Sequence, residues 1–286
     1  MSTQFPAEVA RNSTVASRPA HAPAPRAQHL RPLLSDVTVE HGPTDLIGRL
    51  FLLADTAARE RGITLSFAPM EDLIAVNRSN PDTWKPIAPL FDPASGGITE
   101  DNSFCILGHN ARGEVVATQA ARLYDWRHTS FYEEASSLRL FYANPERMKG
   151  AREAVRVTAP AARHLTGNVI YAGGIWYRPD YRGRGLPSIL PWLCRTYAYT
   201  RWKQDFSLSL VTEEVYQRGM AQRSGYSKAE WEVRWCYSAL EPAKEISCAL
   251  VYMDAAELLA GAGSFLRRFG AEIDVRVDER RSHQNG

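Results

Sequence analysis

The sequence predicts an α/β protein in which helices flank one mixed β-sheet. A β-hairpin pattern occupies residues 104–124, where two apolar runs flank a turn that contains Asn and Gly. A strand–helix–strand pattern follows at residues 169–211, and such a unit places its two strands in parallel with a right-handed connection. The combination of an antiparallel and a parallel pair indicates a mixed sheet within one domain.

The first ordered element is predicted to be an amphipathic helix. It is expected to begin at Thr44 or Asp45, either of which can serve as an N-cap, and Gly62 occupies a position that commonly ends a helix. Helical spacing places four apolar residues on one side: Leu46, Leu50, Leu53 and Ala57.

A strand, a short helix and a loop are predicted next. Residues 63–67 alternate apolar and polar side chains, as a strand with one buried face does. A short helix is expected from about Met70 to Arg78. Residues 80–97 contain four prolines and two glycines, which predicts a loop before the hairpin.

The region from Asp125 to Gly167 mixes aromatic and charged residues and has no clear periodicity. A short helix is predicted near Pro145 to Arg156, because Pro is favoured in the first turn of a helix. We interpret the region as an insertion that shapes an acceptor site, with the cluster Asp125-Trp-Arg-His128 as a candidate lining.

The C-terminal half has the clearest pattern of alternating strands and helices. The elements predicted there are a strand at Val169–Tyr177, a helix at Leu186–Trp202, a strand at Phe206–Val211, a helix at Glu213–Arg223, strands at Lys228–Tyr237 and Ile246–Tyr252, and a final helix at Asp254–Arg268.

Three segments are predicted along the chain. Residues 1–35 are rich in Pro, Ala and Arg and are expected to be a disordered tail, although an Arg-rich, acid-poor segment also fits an organelle transit peptide. Residues 36–272 are expected to form a single domain. The polar residues 273–286 are expected to form a flexible tail.

Composition narrows the class of protein. The net charge of +2 argues against a nucleic-acid partner, and no apolar run approaches the 18 or so residues that span a bilayer. The cysteines are widely spaced and form no CxxC pair, so neither disulfides nor a metal site is expected. A cytoplasmic location without a membrane partner is therefore predicted.

A glycine- and arginine-containing turn separates the strand that ends at Tyr177 from the following helix. Backbone N–H groups at the start of a helix lack intrahelical partners and can bind anions. Gly183 and Gly185 let the backbone approach phosphate oxygens closely, and Arg182 and Arg184 add positive charge. The turn is thus a candidate site for a phosphate-rich ligand.

The turn matches neither GxxxxGK[ST] nor GxGxxG. It resembles motif A of the GNAT acyltransferase superfamily, Q/R-x-x-G-x-G/A, with Arg182 and Gly185 matching and Pro187 departing at the last position. Downstream, Gly225-Tyr226 resembles the Gly-Phe pair that follows the fourth GNAT helix. The resemblance covers about Val169 to Tyr226, and residues 63–124 resemble the family only in the order of their elements.

This resemblance implies a GNAT-like mixed sheet that splays at its centre, with the pantetheine arm of coenzyme A lying between the fourth and fifth strands. Acetyl-CoA or another acyl-CoA is then the co-substrate. Its implied contacts are Ile175, Trp176, Tyr177, Arg182, Gly183, Arg184, Gly185, Leu186 and Pro187.

The family transfers the acyl group by direct attack of an amine on the thioester. Many members carry a tyrosine that protonates the leaving thiolate, but this chain has Ala221 at that position. Tyr216 is an alternative acid, and Glu213 or Glu214 is a candidate base. The two glutamates also fit a helix N-terminus, where acidic side chains are favoured whatever the function.

The function implied is an acyl-CoA-dependent N-acyltransferase, most simply an N-acetyltransferase, that acts on a small-molecule or peptide amine. Two alternatives stay open. One is transfer of a long acyl chain from acyl-CoA or acyl carrier protein, which the insertion at residues 125–167 and the missing tyrosine favour. The other is a GNAT-fold module that binds CoA or a partner without catalysis. The sequence does not indicate an oligomeric state.

Overall fold

The computed structural model describes residues 31–238, 240–241 and 244–284, with side chains up to residue 271. Most of the predicted N-terminal tail, residues 1–30, and the last two residues lie outside this part of the chain. Leu33 falls within the predicted tail, yet its side chain is fully buried in the core of the domain.

The described residues form one eight-stranded mixed sheet with the order β1-β2-β3-β5-β6-β8-β7-β4. Neighbouring strands are antiparallel except β5 and β6, which are parallel. The strands are β1 (Thr64–Ala68), β2 (Ser103–His109), β3 (Val115–Trp126), β4 (Ala154–Val157), β5 (Gly167–Tyr177), β6 (Phe206–Thr212), β7 (Lys228–Cys236) and β8 (Glu245–Asp254).

Helices cover both faces of this sheet. They are α1 (Thr44–Glu60), α2 (Met70–Arg78), α3 (Phe131–Ser136), α4 (Pro145–Met148), α5 (Leu190–Trp202), α6 (Glu213–Gln217), α7 (Met220–Arg223) and α8 (Ala255–Gln284). Apolar side chains of α1, α5 and α8 form one core cluster with the first sheet face. Those of α2, the loop after it and α3 form a second cluster on the opposite face. The predicted α/β class with helices flanking one mixed sheet is confirmed.

Helix α1 occupies the predicted range, but its N-cap differs from the prediction. The cap residue is Pro43, and no side chain caps the helix, so neither Thr44 nor Asp45 has the predicted role. The buried stripe includes Leu50 and Ala57, and the chain reverses at Gly62, whose φ of +80° suits a residue without a Cβ.

Helix α5 begins later than predicted. Leu186–Ser188 form a single 3₁₀ turn, and the α-helix itself starts at Leu190. Pro191 explains the delay, because its ring would clash with the carbonyl of residue 187 in a continuous α-helix and its missing N–H is tolerated only in a first turn.

The insertion also differs from its predicted structure. Helix α4 ends at Met148, and residues 154–156 of the predicted helix belong instead to strand β4, which pairs with β7. Val155 and Val157 are β-branched, and such side chains favour a pleated strand over a helix.

Two further helices depart from the predicted ranges. The helix expected over Glu213–Arg223 is split into α6 and α7 at Gly219, whose φ of +69° cannot be part of a right-handed helix. The final helix continues to Gln284 instead of ending at Arg268.

Strands β5 and β6 separate after a short paired stretch. Val169–Tyr171 pair with Phe206–Leu208, and no ladder joins the strands beyond that point although both continue. This divergence at the centre of the sheet is the splay expected of a GNAT-like fold, and the fold class expected from the sequence is therefore confirmed.

A β-bulge in β5 lies where the strands separate. Thr118 faces Trp176 and Ala120 faces Gly173, so β5 has one more residue between these pairs than β3 has. Gly174 has a φ of +60° there, and a Cβ on it would lie 3.0 Å from the Cβ of Ala120. The glycine permits the bulge, which bends β5 and increases its local twist.

Candidate functional site

A cleft of about 660 Å³ lies where β5 and β6 diverge. Residues 171–175 of β5 and 209–212 of β6 form its sides. Residues from α5 and α7 line it on one face of the sheet. On the other face it is lined by residues of the loop at 84–91, by residues 240, 241 and 244, and by the start of β8. The splay thus creates a concave site that receives side chains from both layers.

Tyr171 marks the end of the cleft where the two strands still pair. Its hydroxyl oxygen accepts a hydrogen bond from the backbone N–H of Leu210 at 3.1 Å. Burial raises the pKa of this phenol well above its ordinary value, so Tyr171 stays neutral. The side chain therefore bridges β5 and β6 at the point where the backbone ladder ends.

The backbone of β5 that borders the cleft is available to a ligand. Beyond Tyr171 this edge of β5 no longer has β6 as a partner. Unpaired strand edges accept another extended chain, and an amide-containing arm of a ligand can serve as one. Ile175, predicted to contact the cofactor, lies on this border and lines the cleft.

The other two predicted cofactor contacts on β5 do not line the cleft. Trp176 is buried and stacks on Trp84, with ring centroids 5.6 Å apart, and its indole N–H donates to Thr83 Oγ1 at 3.3 Å. Tyr177 is buried on the other face of the sheet, against α5, and burial raises its pKa. Trp84 lines the cleft, so Trp176 packs behind a ring of the lining.

The predicted phosphate turn leads from the end of β5 toward α5. Gly183 and Gly185 have φ values of +78° and +76°. The backbone N–H groups of residues 183–186 donate to no other residue in the described part of the chain. Consecutive free N–H groups in a turn of this kind form a concave anion site. Leu186 is buried, and Pro187 follows it without an N–H group.

The arginines of this turn are engaged with the protein. Arg182 donates through Nε to the Tyr177 carbonyl at 3.1 Å and through Nη2 to the Thr83 carbonyl at 3.2 Å. Arg184 donates to the Asp180 carbonyl at 3.0 Å and lies 3.9 Å from the centre of the Tyr181 ring. These contacts hold the turn, and direct contact of either guanidinium with phosphate stays a prediction.

The candidate bases reach the cleft, and the candidate acid does not. Glu213 and Glu214 begin α6 directly after β6, and both line the cleft. Glu214 accepts from Arg218 at 2.7 Å and its side chain is 74% exposed, whereas Glu213 has no side-chain partner among the residues described. Tyr216 packs edge-on against Trp231 at 5.5 Å outside the cleft.

Three buried polar residues of the cleft were not predicted. Arg195, Tyr226 and Gln119 all line it, and each has a buried polar atom without a partner in the described residues. Sequence offered one signal, because Arg195 is the single charged residue between Arg184 and Arg201. A lone charge within a long uncharged stretch points to a buried ionic group.

An ion pair joins the two loops at one mouth of the cleft. Lys85 donates to Glu241 at 2.6 Å, and this contact lowers the pKa of Glu241 and raises that of Lys85. The Lys85 side chain is 82% exposed, so the pair contributes little to stability.

The cluster Asp125–His128 lies away from the cleft. Arg127 and His128 line a separate, shallow depression of the insertion together with Glu133. Arg127 Nε donates to Asp125 at 2.8 Å, which pairs the two charges on the surface. The structure therefore does not bring this candidate acceptor lining into the cleft.

Other kinds of site are not found in the described residues. They contain no group of three or more His, Cys, Asp or Glu side chains arranged to hold a metal ion. None of the described helices combines the length and hydrophobicity needed to cross a membrane. The four cysteines are buried free thiols.

The fold is similar to solved acetyltransferases at low sequence identity. Spermidine N-acetyltransferase from Vibrio cholerae in complex with CoA and spermine is 12% identical over 69% of this chain and 98% of that one, with a TM-score of 0.41. A dodecameric form from the same organism is 10% identical over 68% and 95% of the two chains, at 0.41. Drosophila melanogaster polyamine N-acetyltransferase is 16% identical over 67% and 99%, at 0.39.

No family model matches the chain, and no curated protein matches it. Because the TM-scores are below 0.5, the likeness by itself decides nothing about the chemistry of this cleft.

Proposed function

We propose that this chain, with its GNAT-like splayed sheet, is an acyl-CoA-dependent N-acyltransferase and most simply an N-acetyltransferase. The observation that carries the proposal is the separation of β5 from β6 after Val169–Tyr171, which opens a cleft between two parallel strands. An extended thioester arm fits such a gap, because its amide groups can pair with the free edge of β5.

The phosphates of the acyl donor are assigned to the turn before α5. The free N–H groups of residues 183–186 offer consecutive donors, and the positive φ values of Gly183 and Gly185 keep Cβ atoms out of the way. Anions bind such arrangements through several backbone hydrogen bonds at once. The arm then runs from this turn along β5 toward Ile175.

The reaction we assign is direct aminolysis of the thioester. The amine nitrogen attacks the carbonyl carbon, the C–S bond breaks, and its electron pair leaves with the sulfur as a thiolate. A protonated acceptor first loses one proton, which exposes the nitrogen lone pair, and the nitrogen loses a second proton as the amide forms, so a base at the cleft is needed. Glu213 suits this role better than Glu214, because Glu214 is held by Arg218.

The acceptor is assigned to the mouth formed by the loop at 84–91 and by residues 240, 241 and 244–247. Trp84 and Phe91 provide apolar surface there, and Glu213, which has no side-chain partner among the described residues, provides a carboxylate that attracts a protonated amine. The class of acceptor is therefore a small-molecule or peptide amine.

Thiol release tests transfer directly. Purified protein is incubated with acetyl-CoA and, in separate reactions, spermidine, free lysine or a lysine-containing peptide, and the free thiol is measured with time. The proposal predicts amine-dependent release. A positioned base contributes about 10²- to 10⁴-fold, so Glu213→Gln should lower the rate by that order. Glu146→Gln, an exposed glutamate on α4, is the matched control.

Two outcomes would redirect the proposal. Release with palmitoyl-CoA but not acetyl-CoA would favour the long-chain alternative. Tight binding of CoA without release for any amine or donor would favour a binding module.

A further inference from the structure

Arg195 is a fully buried cation with no acidic partner. Its side chain is 0% exposed, and no carboxylate lies within 4 Å of it among the described residues. Nη2 donates to the carbonyl of Ser224, whereas Nε and Nη1 have no partner in the described chain. Burying an unpaired charge is costly, and a native protein keeps such a group for a reason.

Two aromatic rings hold this guanidinium in place. Its carbon lies 4.5 Å from the ring centre of Tyr226 and 5.2 Å from that of Trp192. Cation–π contacts offset part of the cost of desolvation without neutralising the charge. The positive charge is therefore fixed in position and remains available to a negative group nearby.

Arg195 lies at the floor of the cleft. Arg195 lines the cleft beside Pro191, Ser224 and Tyr226, on the face of the sheet that carries α5 and α7. Ala221 lines the same side. Ala221 is the residue that occupies the position where a tyrosine would protonate the thiolate, so the chain has a buried cation on the side where this acid is missing.

We propose that Arg195, supported by Tyr226, forms an anion subsite that stabilises the thiolate released from the acyl donor. The inference rests on the proposed function. When the C–S bond breaks, the electron pair stays on sulfur, and a fixed positive charge nearby lowers the energy of that anion. Solvent protonates the thiolate after the acylated amine has left, so the chain needs no tyrosine at position 221.

The thiol of bound CoA can be titrated between pH 7 and 9.5 without interference from the buried thiol and phenol beside Arg195. Burial raises the pKa of the Cys194 thiol to about 12, and burial also raises the pKa of the Tyr226 phenol above its ordinary value. The other acidic and basic side chains of the lining are Glu213, Glu214, Lys244, Glu245 and the Lys85–Glu241 pair. A titration seen in that range with bound CoA, and absent without a sulfur, therefore reports the ligand thiol.

The test compares CoA with desulfo-CoA, which lacks the thiol. Affinities of both are measured between pH 7 and 9.5 for wild type, Arg195→Met and the control Arg201→Met, an arginine on the same helix that contacts the Glu100 carbonyl outside the cleft. In wild type the affinity for CoA, relative to desulfo-CoA, should rise with pH, by about tenfold for each unit by which the site lowers the thiol pKa.

Arg195→Met should lose this rise while keeping its affinity for desulfo-CoA, and Arg201→Met should behave as wild type. An equal rise in Arg195→Met and wild type overturns the inference. If Arg195→Met does not fold, the pKa of the CoA thiol is measured in the wild-type complex from the ultraviolet absorption of the thiolate. A thiol pKa equal to that of free CoA would also overturn the inference. Failure of wild type to bind either ligand contradicts the proposed function itself.

Discussion

The hydroxyl oxygen of Tyr171 on β5 accepts a hydrogen bond from the backbone N–H of Leu210 on β6. The backbone ladder stops at the pair of Tyr171 and Leu208, and the contact reaches two residues further along β6. A side chain thus continues the pairing where the strands have begun to separate, and it sets the closed end of the cleft.

Tyr171→Phe should destabilise the protein. The change leaves the Leu210 N–H without its partner in a partly buried site, which costs about 1–3 kcal/mol. Urea unfolding measures the loss. Tyr132→Phe is the control, since the Tyr132 ring contacts Arg163 and its hydroxyl makes no hydrogen bond in the described chain. Equal stability of Tyr171→Phe and wild type would show that the bridge does not matter.

Gly174→Ala should disturb the bulge and the cleft together. The new Cβ would meet the Cβ of Ala120 at 3.0 Å, in addition to the strain of a φ of +60°. Gly113→Ala carries similar φ strain with no atom within 4 Å, so it isolates the steric part. We expect Gly174→Ala to be less stable than Gly113→Ala by roughly 1 kcal/mol or more in urea unfolding.

The same pair of variants separates a local from a global effect on binding. Gly174→Ala should also weaken CoA binding, whereas Gly113→Ala should not. Identical affinities in the two variants would mean that the bulge does not shape the cofactor site.

Arg184→Ala should weaken CoA binding by loosening the phosphate turn. The side chain ties the turn to Asp180, Tyr181 and the backbone of Arg61. We expect a loss of about tenfold or more for CoA and little change for S-acetylpantetheine, which has the arm without the nucleotide. Arg49→Ala, on the surface of α1, is the control. Equal losses for both ligands would place Arg184 away from the phosphates.

Acid should weaken the link between the hairpin turn and the end of β5. Glu114 accepts hydrogen bonds from Arg178, Asn110 and Arg112, which lower its pKa to about 2 from an ordinary value of 4.5. Because the folded-state pKa is depressed, the stabilisation is present above pH 4.5 and is lost as the pH falls toward 2.

Urea unfolding of wild type and Glu114→Gln at pH 7 and pH 3 tests the direction of this pH dependence. The stability difference between the two proteins should shrink at the lower pH. A constant difference would show that the carboxylate of Glu114 contributes nothing through its charge.

Local patterns in the sequence predicted most elements, and the strand that was missed depends on non-local pairing. Helix α2 matches its predicted range Met70–Arg78, and the hairpin and the parallel β5–β6 unit are present. Strand β4 was missed because its pairing partner is far along the chain, with Val155 facing Trp235. Four residues carry too little pattern to indicate a strand without that partner.

Residues of the candidate site could be predicted from the sequence where they come directly after the end of a strand. Glu213 and Glu214 reach the cleft because they come immediately after β6, and the glycines of the turn follow β5. Arg195 and Trp84 were missed, because packing between layers decides which side of a helix or loop faces the cleft. Tyr216 lies on the predicted helix, but the break at Gly219 and its contact with Trp231 leave it outside.

Calorimetric titration of the wild-type protein with CoA, acetyl-CoA and palmitoyl-CoA, at two temperatures, tests most directly whether the gap between β5 and β6 is a thioester site. The account predicts one-to-one binding of at least one of these ligands, weaker in Gly174→Ala than in Gly113→Ala. Absence of binding for all three ligands at both temperatures would contradict it.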